Sequence, residues 1–267
     1  MRSSAALLAL VLAVAPVPSG GAAPVAIRYN EAITHGFLVM KGPRGNTIAH
    51  GEFVQHPQGE RVHNQLIFHF ADGSLYEEAV TFTQRRVFRL MSYKLVQKGP
   101  SFPEASEVSF DRDSGRYRAR AGKDTSEGKL DLPEDAYNGM LGVLLKNVPP
   151  SAGATGQIVA FTPKPHLVRA TLVREGEDKY FVGEAPHTAT RWLVKLELEG
   201  VKGVVASLIG KDPPDVRFWI ATGTVPGFVK FEGAIFLKGP RWRVELSSPG
   251  WPDAASGSAP RGSGRRS

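Results

Sequence analysis

Polar and apolar residues alternate along most of the chain, in short runs separated by turn residues. The runs are rich in Val, Ile, Phe, Thr and Tyr, and turns such as Gly42–Asn46, Asp72–Gly73 and Asp113–Gly115 interrupt them. Turns at intervals of about ten residues between alternating runs are typical of an antiparallel sandwich or barrel. The pattern therefore predicts a mainly β fold, an antiparallel curved sheet or partly open barrel with one or two short helices.

The first hairpin of this sheet can be predicted down to its register. Residues 47–56 and 61–70 read as two strands in which successive side chains point to opposite faces. A pairing that sets Phe53 opposite Leu66 makes one face apolar and the other polar. Keeping the next strand's apolar residues on the same face requires a three-residue loop at Ala71–Gly73, whose last residue is left-handed.

Four of the seven histidines lie on the polar face of this hairpin. The same register places His56 opposite His63 and His50 opposite His69, with Cβ atoms about 5 Å apart in each pair. The two pairs are separated by about 20 Å along the strands and cannot share one ion. Each pair would need a further ligand, and only Glu52 is near. We therefore predict no metal and no cofactor, with these four histidines as the alternative metal ligands.

Two segments depart from the alternating pattern and predict helices. Residues 133–147 begin with a proline and acidic residues and end near Lys146, as expected for the two ends of a helix. A second, shorter helix is predicted over Val201–Ile209. The apolar face of the first helix carries three candidate ligand contacts, Met140, Leu141 and Leu144.

The second half of the chain predicts another meander. Strands are expected near residues 155–163, 166–174, 179–183, 189–199, 216–222, 226–238 and 241–248. The polar segment Glu175–Asp178 is predicted to be the turn between the second and third of them.

The beginning of the chain predicts export. A single positive residue, the apolar run Ala5–Val17 and a small-residue segment form a secretory signal peptide, with cleavage after Ala22. The run is shorter than the roughly 20 residues that span a bilayer. Residues 23–248 are then one β-rich domain and 249–267 a disordered basic tail. We expect a periplasmic or extracellular protein with no transmembrane segment after signal removal.

Composition excludes several classes of site. The chain has no cysteine, which excludes disulfides, thiolate ligands, a cysteine nucleophile and the lipid-modified cysteine of a lipoprotein. Its 33 Lys and Arg outnumber its 26 Asp and Glu, for a net charge of +7. That modest excess is compatible with an anionic surface but does not require nucleic acid. We predict no nucleic-acid partner.

Signatures of common hydrolases and nucleotide-binding loops are absent from the sequence. Asp111–Gly115 resembles the opening of a calcium loop but lacks the later ligands, so it predicts a hairpin turn. Lys98 and Lys164 lie in the proline-containing loops Gln97–Pro103 and Thr162–Pro165. These lysines are candidate contacts to an anionic head group.

Four stretches resemble an uncharacterised family of exported bacterial β-rich proteins: Asp72–Glu78, Phe82–Leu90, Val96–Pro103 and Leu130–Met140. The resemblance covers most of the mature chain and implies no assigned activity or site residue. The order of elements, a helix followed by a meander and a final strand at Pro213–Trp219, is also similar to periplasmic half-barrels of the lipoprotein-carrier type. In that type a curved sheet wraps a hydrophobic cavity covered by helices.

Three functions follow as alternatives. The sequence favours a non-enzymatic protein that binds a lipid or other amphiphile beneath the helix at 133–147, unless side chains fill that space. The second alternative is a hydrolase-type enzyme, which calls for a concave pocket with a histidine beside a Ser, Asp or Glu. The third is a cell-envelope assembly or interaction protein that pairs through an exposed strand edge.

Overall fold

The computed structural model describes residues 24–149, 151–161, 164–198, 215–236, 238–247 and 249–250. Within them lie one helix, α1 (Leu141–Asn147), and fifteen strands. The strands are β1 (Thr34–Lys41), β2 (Thr47–Gln58), β3 (Arg61–Phe70), β4 (Leu75–Gln84), β5 (Phe88–Lys98), β6 (Ser106–Asp111), β7 (Arg116–Ala121), β8 (Asp124–Lys129), β9 (Ala154–Phe161), β10 (Pro165–Val182), β11 (Ala185–Leu198), β12 (Val216–Ala221), β13 (Gly227–Gly233), β14 (Trp242–Leu246) and β15 (Pro249–Gly250).

All of these strands belong to one antiparallel sheet. Strands β1 to β8 are neighbours in chain order, and β14, β13, β12, β11 and β10 continue the sheet from the other side of β1. The far side of β10 pairs with both β9 and β15. Among the described residues no pairing joins β8 to β9, so the sheet is curved but not closed. The predicted fold class is confirmed.

The predicted register of the first hairpin is also confirmed. Phe53 pairs with Leu66, and both histidine pairs are directly opposed. Gly73 closes the next loop with a φ of 83°, a conformation that glycine adopts without strain. The predicted turn at Asp111–Gly115 is present, and the Ser114 N–H donates to the Asp111 carboxylate at 2.8 Å.

Apolar side chains fill the inside of the curved sheet. Phe82, Phe88, Leu90 and Trp192 are fully buried there, together with α1. Phe161 on β9 lies 6.2 Å from Phe110 and 5.8 Å from Tyr117, measured between ring centroids. These rings belong to β6 and β7, so side chains bridge the gap that the backbone pairing leaves open.

The helix predicted over residues 133–147 is shorter, because only Leu141–Asn147 is helical. The preceding residues bend at Gly139, whose φ is 67°, and their backbone pairs with the outer edge of β9. Gln157 N–H donates to the Asp135 carbonyl at 2.7 Å, and Tyr137 N–H donates to the Gln157 carbonyl at 2.8 Å. The edge of β9 thus satisfies backbone groups that a longer helix would have satisfied internally.

The side chain of Asn138 also hydrogen-bonds the outer edge of β9. Asn138 donates to the Val159 carbonyl at 2.9 Å and accepts from the Val159 N–H at 2.8 Å. The β9 sequence has no charge or proline to discourage pairing with another strand. The opposite edge, β8, carries Asp124, Glu127 and Lys129. On β9, the backbone groups of Gln157 and Val159 that could pair with another strand are already hydrogen-bonded within the chain.

One arginine holds the segment before α1, at Leu132 and Pro133, in place. Arg112 donates through its three guanidinium nitrogens to the carbonyls of Leu90, Leu132 and Pro133, at 2.6, 2.8 and 2.8 Å. Burial lowers the pKa of Arg112, and Glu134 opposes that shift. The arginine therefore ties the approach to α1 to strand β5.

The turn predicted at Glu175–Asp178 is wrong, because β10 runs through it without a break. The pairing shifts by one residue between Arg174 and Gly176, which marks a β-bulge. Glu175 and Asp178 both pair with Arg191 on the neighbouring strand, at 3.4 and 2.7 Å. The polar run is thus an internal part of a long strand, and the hairpin lies further on, at Gly183, whose φ is 59°.

Several predicted segments lie outside the described residues, namely the signal peptide at 1–22, the helix at Val201–Ile209 and the tail beyond residue 250. The first two residues of the predicted tail form β15, which pairs with Phe181 and Val182. Within the described ranges, no helix has the length and apolarity needed to cross a membrane.

Candidate anion-binding basin

Two rows of side chains cross the outer face of the sheet from β2 to β8. Each row follows from the strand register, because directly paired residues point to the same face. The first row is His56, His63, Thr81, Ser92, Asp111, Arg116 and Lys129. The second row is Val54, Gln65, Ala79, Lys94, Ser109, Arg118 and Glu127.

These rows line a basin of about 990 Å³, which lies on the outer face rather than in the interior. Its floor is made of small side chains on the middle strands, namely Ala79, Thr81, Ser92 and Ser109. Longer side chains rise on β2 and β3 at one side and on β7 and β8 at the other. A patch of short side chains between long ones leaves a depression in the surface.

An ion pair between distant strands lies beside the basin. Arg61 at the start of β3 and Asp113 in the turn after β6 lie 3.7 Å apart, although β4 and β5 separate them in the sheet. Nearby, the hydrogen bond from Ser114 N–H lowers the pKa of Asp111, and Arg61 adds to the shift. The Asp111 carboxylate is therefore ionised and engaged by the turn.

Four cations surround the basin, Lys94, Arg116, Arg118 and Lys129, and all are exposed. In the part of the chain that the structure describes, none of them forms an ion pair. The arginines on the opposite part of the outer face behave differently, since Arg217 bonds Glu175 at 2.8 Å. The basin lining holds two carboxylates against these four cations, so its field is positive.

Two of the sequence-predicted histidines line the basin. His63 Nδ1 lies 3.0 Å from the Thr81 hydroxyl, and His56 is directly opposite His63. Within the described residues, neither imidazole hydrogen-bonds a Ser, Asp or Glu side chain. The arrangement required by the hydrolase alternative is therefore not assembled by these two residues.

The other predicted histidine pair, His50 and His69, lies outside the basin lining. Glu52, expected as its nearest further ligand, bonds His35 Nε2 at 2.5 Å. No group of three His, Asp or Glu side chains converges for a metal ion anywhere in the described chain.

The predicted contacts beneath the helix belong to the core. Met140 and Leu144 are 0% and 1% exposed, and Leu141 packs against the same cluster. The space left between α1, β9 and β10 does not admit a water molecule. Side chains therefore fill the interior at this point. Lys98 and Lys164 are exposed, and neither lines the basin.

The basin cations were missed in the sequence because they are dispersed along the chain from Lys94 to Lys129. One signal was present in the run Arg116–Ala121, where arginines at every second position must share a face of a strand. The small floor residues lie on three other strands. Their meeting with the arginines becomes visible only once the register of all seven strands is known.

Comparisons with known proteins give one similar structure. No protein-family model matches the chain, and no curated protein matches it. A beta-barrel-like protein of the domain of unknown function DUF1849 from Brucella abortus is similar in structure, with a TM-score of 0.45 and 6% sequence identity. The match covers 82% of this chain and 98% of that one. These comparisons assign no role to any residue of the basin.

Proposed function

We propose that this is a non-enzymatic binding protein that holds an anionic ligand in the basin on the outer face of β2 to β8. The observation that carries the proposal is the set of four exposed cations that line the basin, none of which forms an ion pair in the described structure. Charged groups of one sign around a concave surface attract and orient a ligand of the opposite sign.

The outer basin fits a ligand better than the interior does. The space beneath α1 is filled, so an acyl chain could enter it only by displacing core side chains such as Leu144. The basin is open and needs no such displacement. We therefore place the ligand outside the half-barrel, in contrast to the lipid carriers that the sequence resembles in architecture.

Export is part of the proposal. The apolar run Ala5–Val17 and the small residues before Ala23 support cleavage by a signal peptidase. Expression in a bacterial host, followed by fractionation and N-terminal sequencing, tests this point. A periplasmic or secreted product that begins at Ala23 is expected, whereas a cytoplasmic product that retains residue 1 would contradict export.

Calorimetric titration with tripolyphosphate tests the binding function, because this probe carries several charges without a sugar or an acyl chain. The double variant Arg116→Glu, Arg118→Glu should weaken binding more than about tenfold at low salt, since it turns attraction into repulsion. The control variant Arg44→Glu, Arg86→Glu makes the same change in net charge at exposed turns outside the basin. It should change the affinity less than about twofold.

Equal losses in the two variants would show that binding follows net charge alone, and the basin would not be the site. No binding by the unmodified protein at low salt would refute the proposed function altogether.

A further inference from the structure

We infer that the ligand of the basin is an acidic oligosaccharide, a polyhydroxylated anion. This inference rests on the proposed anion-binding function and names the chemical class of the ligand. It follows from the chemistry of the floor, from the spacing of the cations and from apolar residues on and beside the rim.

The floor presents hydroxyl groups that are not used elsewhere. Ser92 and Ser109 are half-buried in the floor, and neither hydroxyl has a hydrogen-bond partner among the described residues. Thr81 lies beside Ser92 in the first row, and the amide of Gln65 lies in the second row on the far side of Ala79 and Lys94. Hydroxyl and amide groups both donate and accept hydrogen bonds, which matches the hydroxyls of a sugar. An acyl chain over this floor would leave these polar groups unpaired, at a cost in free energy.

The cations are spread out rather than gathered at one point. Arg116 and Arg118 are two residues apart on β7, about 7 Å along the strand. Lys94 stands two strands from Arg118, roughly 10 Å across the sheet, with Ser109 between them. A chain that carries its carboxylates on successive sugar rings can reach separated cations, whereas a single phosphate ion cannot. Arginine also binds carboxylates through two parallel hydrogen bonds.

At β2 the rim of the basin carries one apolar residue, Val54, next to His56. Val54 lines the basin there and is 38% exposed, and it pairs with His35 on β1. The His35 ring lies 4.9 Å from the ring of Phe37, which is 60% exposed. Exposed aromatic and aliphatic side chains beside a polar site can pack against the C–H faces of sugar rings. The volume of about 990 Å³ is also far larger than one small ion requires.

The test compares four probes by calorimetry: trigalacturonate, the neutral sugar maltotriose, tripolyphosphate and laurate. Trigalacturonate should bind at least about tenfold more tightly than maltotriose, because only the acidic sugar engages the cations. The variant Ser92→Val, Ser109→Val should weaken trigalacturonate about tenfold and leave tripolyphosphate within about twofold. Thr125→Val, on the same face but outside the basin lining, serves as the control and should change neither affinity.

Three results would overturn the inference, and they separate it from the proposed function. Equal binding of trigalacturonate and tripolyphosphate, unaffected by the serine substitutions, would leave a plain anion site and spare the proposed function. Tight binding of laurate that Arg116→Glu, Arg118→Glu abolishes would identify an anionic amphiphile instead. Failure of all four probes would remove both proposals.

Discussion

Replacement of Asn138 by Ala should destabilise the protein by about 3 kcal/mol, a large loss for one side chain at a sheet edge. The Asn138 side chain is 5% exposed and makes two hydrogen bonds to Val159, which is itself 3% exposed. The substitution removes both bonds and leaves a buried N–H and a buried C=O without partners. Each such group costs about 1–3 kcal/mol, and water entering the new space would recover part of the sum.

Urea unfolding followed by tryptophan fluorescence measures the loss, and hydrogen exchange locates it. The Val159 amide should exchange much faster in Asn138→Ala, because its acceptor is gone. Asn64→Ala is the matched control, since Asn64 is 6% exposed and its Oδ1 has no hydrogen-bond partner. That control should cost no more than about 1 kcal/mol.

The charged variant Asn138→Asp sharpens the test. Its carboxylate keeps an acceptor for the Val159 N–H but sets a negative oxygen against the Val159 carbonyl. Protonation restores a donor, so this variant should recover stability relative to the unmodified protein as the pH falls toward about 4. Similar losses for Asn138→Ala and Asn64→Ala, with no change in exchange at Val159, would refute the view that Asn138 caps the edge of β9.

Two further predictions concern Glu78 and Arg112. Burial raises the pKa of Glu78, which accepts a hydrogen bond from Tyr93 at 2.8 Å. The folded state therefore binds this proton more tightly, and stability falls as the pH rises from the unfolded value near 4.5 through the raised folded pKa. Glu78→Gln should stabilise the protein by about 1 kcal/mol at pH 7 and by little near pH 4, as measured by thermal unfolding at the two pH values. A gain in stability that does not depend on pH would contradict this reasoning. Arg112→Met should lower the free energy of unfolding in urea by about 3 kcal/mol, because three carbonyls lose their hydrogen-bond donor. The control Arg89→Met, at an exposed ion pair, should lower it by less than about 1 kcal/mol. Equal losses in the two variants would show that the three hydrogen bonds of Arg112 contribute little to stability.

The alternation of side chains was sufficient to predict the β fold and one complete hairpin register. Phe53 and Leu66 had to share the inner face, and shifting the pairing by one residue would have turned the apolar residues of that face outward. The same constraint predicted the left-handed Gly73. These predictions succeeded because the partners are close in sequence and burial allows one arrangement.

Features that depend on distant partners could not be predicted in this way. The start of α1 depends on the edge of β9, which follows it in the chain and captures the backbone of Asp135 and Tyr137. The run Glu175–Asp178 has the composition of a turn, yet its carboxylates pair with arginines on other strands. The basin combines small residues on β4, β5 and β6 with long ones on β5, β7 and β8, so it exists only when all of these registers are combined.

The pairing of β1 with β14 has a consequence for how the chain folds. Residues 38 and 246 are partners in this pairing, so almost the whole chain must be made before the two halves of the sheet can join. Strands β2 to β8 can meanwhile form as successive hairpins, which need only short loop closures. Until β14 arrives, β1 presents an unpaired edge that includes Leu38, Val39 and Met40, a segment able to pair with another copy. Joining of the halves should therefore be a slow late step in folding, during which the chain is most prone to aggregation.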